Sequence, residues 1–270
     1  MALISSETIT VQRVATPDAL NTLLQSFDGL PNNPASLYLS TTAQSLIVYV
    51  APKRTVSAIG LPYLMEALRQ KERSASALRS LLENGPAVKI FFDARKTAKI
   101  LFDSCTIRLS NPPCTVRAHI HEVQMMELAL RQSDTNREWL AGLDRCIARG
   151  SDLDIDVHIP DGLGGSKGFD ERILHLPILW KKYHDRLLAD RNGVGGSFWV
   201  ACIREATQKR LAVSCGETHR GYGVDSARRA WNRDSIEEER DSWNDDVMMD
   251  HIHNGDWLGG AEHWAKFDIL

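Results

Sequence analysis

Two His-x-His pairs, His119-Ile120-His121 and His251-Ile252-His253, carry the plainest metal-ligand spacing in this chain. In extended backbone, residues two apart project from one face, so each pair offers half of a zinc site. No third or fourth ligand stands near either pair, and exposed strand or loop histidines are the simpler expectation. Asp152-x-Asp154-x-Asp156 starts like a calcium loop. It lacks the glycine and glutamate that such a loop needs at its sixth and twelfth positions, so it reads as a solvated loop that covers a cleft. There is no phosphate-cradling glycine loop, Ser-His-Asp spacing or dinucleotide fingerprint, and Gly193-Val194-Gly195-Gly196 reads as a loop ahead of a helix. Neither a metal nor an organic cofactor is expected. Cations gather late in the chain, around a helix expected over 197–211. Of these, Arg204, Lys209, Arg210, Arg228 and Arg229 form a candidate nucleic-acid patch, weighed against a solvated helix face with Trp199 in the core.

The elements that must position these residues can be read from pattern. Alternation over Ile9–Val14 predicts a strand, and Thr16-Pro17-Asp18 caps a helix running to Phe27, with proline at its first position. A loop rich in Asn and Pro leads to a strand from Leu37, followed by strands near 46–50 and 55–59. Helices are expected over 62–70 and 74–82, the second stopped by Asn84-Gly85-Pro86. A strand over 88–92 then feeds a helix over 97–102. Strands alternating with helices imply an α/β fold with a mixed sheet flanked by helices.

Composition bounds the rest. The chain has 270 residues, 43% of them hydrophobic, enough to bury a full core in one domain with peripheral elaboration. A net charge of −3 and a pI near 6.3 give no global attraction for a phosphate backbone, so nucleic-acid binding needs a local patch. Five cysteines without a C-x-x-C pair argue against a disulfide scaffold and a thiolate zinc site. With no signal peptide and no long apolar run, the expected location is intracellular, in cytoplasm or nucleus, with no membrane contact. Two domains are expected: 1–233, with an acidic, glycine-rich insertion at about 151–169, and an acidic, tryptophan-bearing extension over 234–270. Between Asp234 and Asp256 there are nine acids against one base, Arg240. Such a tail either folds over the basic patch or docks on a partner through Trp243 and Trp257.

Several segments resemble, in order, the 3′–5′ exonuclease domain family of ribonuclease D type, especially its fungal members. They are Leu37-Tyr38-Leu39, Ile47 to Val56, Lys89-Ile90-Phe91-Phe92-Asp93-Ala94-Arg95, Glu122 to Ala129, Trp139 to Ile147, Leu176-Pro177-Ile178-Leu179-Trp180, and Phe198-Trp199 with Arg228 to Trp231. The resemblance implies a ribonuclease H-like fold and, in active members, four carboxylates holding two divalent metals.

Carried over position by position, the first two acids fall on Ser40 and Thr42. The third falls on Thr97, or on Lys99 in a register two residues later, and the fourth on Arg172. The tyrosine that orients the attacking water falls on Gly168. A shifted register would instead draw on Asp93, Glu122, Asp170 and Glu171. Hydroxyls and a cation cannot neutralise two Mg²⁺ ions, so the resemblance points to a pseudo-exonuclease. Two readings follow. The first is a non-catalytic module that binds single-stranded nucleic acid or a protein. The alternative is a cleft repurposed as a small-molecule pocket, able to act as a metal-free, cofactor-independent cyclase or isomerase. That pocket would hold a small anionic organic ligand through Arg172 or Lys99.

Overall fold

A computed structural model of the chain describes residues 9–109, 119–132, 137–151, 169–189, 194–216, 231 and 233–254. Its strands are β1 (Thr10–Val14), β2 (Leu37–Thr41), β3 (Ser45–Val50), β4 (Thr55–Gly60), β5 (Lys89–Phe91) and β6 (Ile120–Glu122). Its helices are α1 (Pro17–Gln25), α2 (Leu61–Arg69), α3 (Arg73–Asn84), α4 (Ala94–Cys105), α5 (Val123–Ala129), α6 (Leu143–Gly150), α7 (Leu176–Ala189), α8 (Val194–Cys215) and α9 (Arg233–Asn254). A 3-10 turn, Glu171–His175, precedes α7. None of the described helices is long and apolar enough to cross a membrane.

The strands form one mixed sheet in the order β1-β4-β3-β2-β5-β6. β2, β3 and β4 pair antiparallel as a meander, while β2, β5 and β6 run parallel and end at the same edge. Because strand side chains alternate, each strand feeds two cores. Tyr38, Ile47, Tyr49 and Ile90 face a cluster built with α5 and α7. Leu37, Leu39, Leu46, Val48 and Phe91 face a second one built with α1 to α4. The long helix α8 belongs to both, with Phe198 to Ile203 in the first and Leu211 and Cys215 in the second.

Helix starts follow their caps. Thr16 accepts a hydrogen bond from the Ala19 amide at 3.3 Å and Pro17 opens α1. Helix α4 begins at Ala94, one turn before the predicted start at Thr97. Asp93 accepts from the Arg95 amide at 3.1 Å and the distant Glu122 accepts from the Ala94 amide at 2.7 Å. The second of these caps arrives from another strand, and no local pattern announces it. Similarly, Val194 to Gly196 stand in the first turn of α8 and not in a loop. Gly85 ends α3, and a Cβ there would lie 2.6 Å from the Leu81 carbonyl oxygen.

Lys89, the first residue of β5, is fully buried. Its Nζ donates to the Leu81 and Gly85 carbonyls at 3.0 and 2.9 Å, closing the C-terminal end of α3 with a cation. Burial pulls its pKa down to about 8.

Candidate functional site

The three parallel strands end where α4, the 3-10 turn and α8 converge. Ser40 pairs in register with Ile47 and belongs to the sheet face of Tyr38, while Thr41 belongs to the opposite face. Thr41, and not Ser40 or Thr42, meets Thr97: their hydroxyls lie 3.2 Å apart and both residues are buried. The Thr42 hydroxyl is consumed by the β2–β3 turn, accepting from the Ser45 and Gln44 amides at 3.0 and 3.3 Å. Lys99 stands on the exposed side of α4, paired with Asp103 at 3.0 Å. These residues do not converge on one ligand-sized point.

Arg172 is also committed. Its guanidinium grips Asp170 through Nε and Nη2 at 2.9 and 2.6 Å and reaches Asp144 at 2.9 Å through Nη1. These hydrogen bonds raise the arginine pKa further and hold the Asp170 carboxyl below its usual range. The group is half exposed, so Arg172→Ala is expected to cost under about 1 kcal/mol. A thermal denaturation curve shifted by more than a few degrees would contradict this.

The buried chemistry lies behind that rim. Arg210 enters from α8 and donates through Nη2 to Asp93 at 3.1 Å and to the Gln124 side-chain oxygen at 2.9 Å. Its Nε lies 2.9 Å from Glu122 Oε2, an ion pair too poorly aligned to be a hydrogen bond. Arg95 neutralises Asp93 from the solvent side, with Nη2 2.6 Å from Oδ2. Burial pushes Asp93 upward, but the Arg95 hydrogen bond and the two nearby arginines win and lower its pKa. Glu122 is completely buried, and that burial raises its pKa against the pull of Arg210. Two carboxylates and two arginines thus close on one another where β5 and β6 end.

The described members of the candidate nucleic-acid patch differ in their surroundings. Arg210 points into the protein, Arg204 is half-buried with its pKa lowered to about 10 by burial, and exposed Lys209 is paired with Glu205 at 2.6 Å. Arg228 and Arg229 lie outside the described residues, as do Gly168, Cys114 and positions 152–168 of the insertion. The signal for Arg210 was present in the helix period: it falls on one stripe with Ile203, Thr207, Leu211 and Ser214, all buried.

The histidine pairs are corrected. His119 and His121 are buried, and His121 Nδ1 accepts from Trp180 Nε1 at 3.2 Å with the rings stacked. His251 and His253 lie in the helical backbone of α9 and not in a strand or loop. Among the described residues, no group of three His, Cys, Asp or Glu side chains comes together to hold a metal ion.

The mixed sheet, its order and the flanking helices are those of the 3′–5′ exonuclease fold of ribonuclease D type. The crystal structure of Trypanosoma brucei RNase D matches with a TM-score of 0.52 at 15% identity, covering 85% of this chain and 81% of that one. The same enzyme in complex with RNA U12 matches with a TM-score of 0.51 at 15% identity, over 86% of this chain and 79% of that one. Its GMP complex matches equally at 0.51 and 15% identity, over 85% and 71%. At this identity the likeness establishes the fold. No protein-family profile and no curated protein sequence matches the chain.

Proposed function

We propose that this chain is a pseudo-exonuclease, a module that binds single-stranded nucleic acid without cutting it. The observation that carries this reading is the state of the acids around the strand ends. Asp93 is held by Arg95 and Arg210, Glu122 by Arg210, and Asp170 by Arg172. The positions that resemble the metal-binding acids of the exonuclease family carry Ser40, Thr42, Thr97 or Lys99, and Arg172. Two divalent metals require several hard anionic oxygens facing one point, and this donor set does not fit them. Trypanosoma brucei RNase D holds RNA on the same fold, and here Lys96 and Lys99 stand exposed on α4 beside the edge. The small-molecule alternative is weaker, because Arg172, its intended anchor, already spends its donors on two carboxylates.

The test is affinity for a labelled single-stranded oligouridylate, measured with and without EDTA and across a salt series. The expected result is EDTA-insensitive binding that weakens with salt and falls in Lys96→Glu/Lys99→Glu, with the RNA left intact. Mn²⁺-dependent shortening of the strand that disappears in Asp93→Asn would overturn the pseudo-exonuclease reading. Absence of binding at low salt would leave a protein partner as the module's target.

A further inference from the structure

We infer that the acidic helix α9 is a built-in cover, and that its release opens a second single-stranded nucleic-acid surface along α8. The inference rests on the binding reading above and adds its regulation.

Over its described side chains, helix α9 meets the domain through one narrow stripe. Ile236 is buried, Glu239, Arg240 and Trp243 are half-buried, and Asp234, Glu237, Glu238, Asp241 and Asp245 face solvent. The spacing 236, 239, 240, 243 is one helical face. Trp243 lies edge-on to Phe198, with centroids 6.3 Å apart. The Arg240 guanidinium lies 5.5 Å from the Phe198 ring centre and 5.9 Å from that of Trp199. Glu239 lies 3.9 Å from the Cys202 thiol, and its charge, together with the closer Glu205, raises the pKa of Lys209.

Beneath α9, then, α8 presents two aromatic rings, and Lys209 stands exposed further along the same helix. Ring faces interleaved with cations are the surface on which successive bases stack while phosphates pair. What α9 lays on that surface has related chemistry: the Trp243 indole meets the Phe198 ring edge-on and covers it, and the Glu239 carboxylate adds negative charge near Lys209, whose ion-pair partner is Glu205. Its outer acids meanwhile repel a nucleic-acid backbone. Among the described side chains of α9 one apolar group is fully buried, and a seat of that kind belongs to the part of a fold that opens locally before the rest.

The experiment compares the full chain with Ile236→Asp/Trp243→Ala in binding a short labelled oligouridylate at low salt. Release of α9 in the variant is checked by trypsin cleavage after Arg240. The expected result is about tenfold tighter binding by the released variant, with the gain abolished by adding Lys209→Glu. A released variant that binds no tighter, or whose gain survives Lys209→Glu, overturns the cover. If wild type and variant bind equally, and both lose affinity on Lys96→Glu/Lys99→Glu, the cover falls and the binding reading stands. If neither binds, both fall. Should the double variant fail to fold, Glu239→Gln keeps the apolar seat, and the absence of any gain there is equally decisive.

Discussion

Arg210→Met is expected to destabilise the protein by about 3–5 kcal/mol, because it leaves the fully buried Glu122 without its cation, while Asp93 keeps only Arg95. Glu122 is fully buried and Asp93 half-buried, and neither can turn to water without breaking the cap it makes on α4. Arg210→Lys should not rescue, since one ammonium cannot span Asp93, Glu122 and Gln124 as the planar fork does. Adding Glu122→Gln to Arg210→Met should recover part of the loss, because it removes the charge and keeps an oxygen for the Ala94 amide. The penalty also has a pH signature. With Arg210 gone, the folded-state pKa of Glu122 rises further above its unfolded value. A carboxyl of that kind is least harmful below its unfolded pKa and costs more as pH rises through its folded one. Urea denaturation at several pH values should therefore show the gap between wild type and variant narrowing from pH 8 towards pH 5. A gap that is small at pH 8, or that widens on acidification, would remove Arg210 from this role.

Lys89→Ala is expected to cost about 3 kcal/mol, from the cavity left by a fully buried side chain and the carbonyl of Gly85 losing its donor. The lysine itself should be visible in alkaline titration. Its folded pKa is about 8, whereas the unfolded value is 10.5. Between those limits the unfolded chain binds the extra proton, so folding stability rises with pH, by on the order of 3 kcal/mol at most. The dipole of α3 favours the charged lysine and trims that figure. Neutral Nζ still carries two hydrogens for its two carbonyls. The readout is the difference between wild type and Lys89→Met from pH 8 to 10, which cancels the tyrosines common to both. A flat difference over that range would show that Lys89 titrates normally.

Much of the fold was legible because its signals are local. The Thr16-Pro17 start, the alternating strands and the Asn84-Gly85 stop were each written within a few residues, and the mixed sheet followed from their order. The strand β6, three residues long and wholly buried, has no period to detect. The start of α4 depends on Glu122, 28 residues away in sequence. Position matching put Thr97 at the edge, and it is there, but its hydroxyl partner is Thr41, one residue off the predicted Ser40 and Thr42. A one-residue step along a strand changes the face, which a motif comparison does not see. Charge suffered most. A cluster of arginines in sequence reads as a basic surface, yet Arg210 is spent on the buried Glu122 and on Asp93, and only three-dimensional pairing reveals it.

The reach of Arg210 also bears on how the chain matures as it is synthesised. Its partners Asp93 and Gln124 precede it by 117 and 86 residues. Until α8 has cleared the ribosome, the ends of β5 and β6 carry charges that the growing sheet cannot bury. Vectorial folding should therefore stall at a compact but incomplete N-terminal half, and truncations ending before residue 210 should persist as chaperone clients and not as small stable domains.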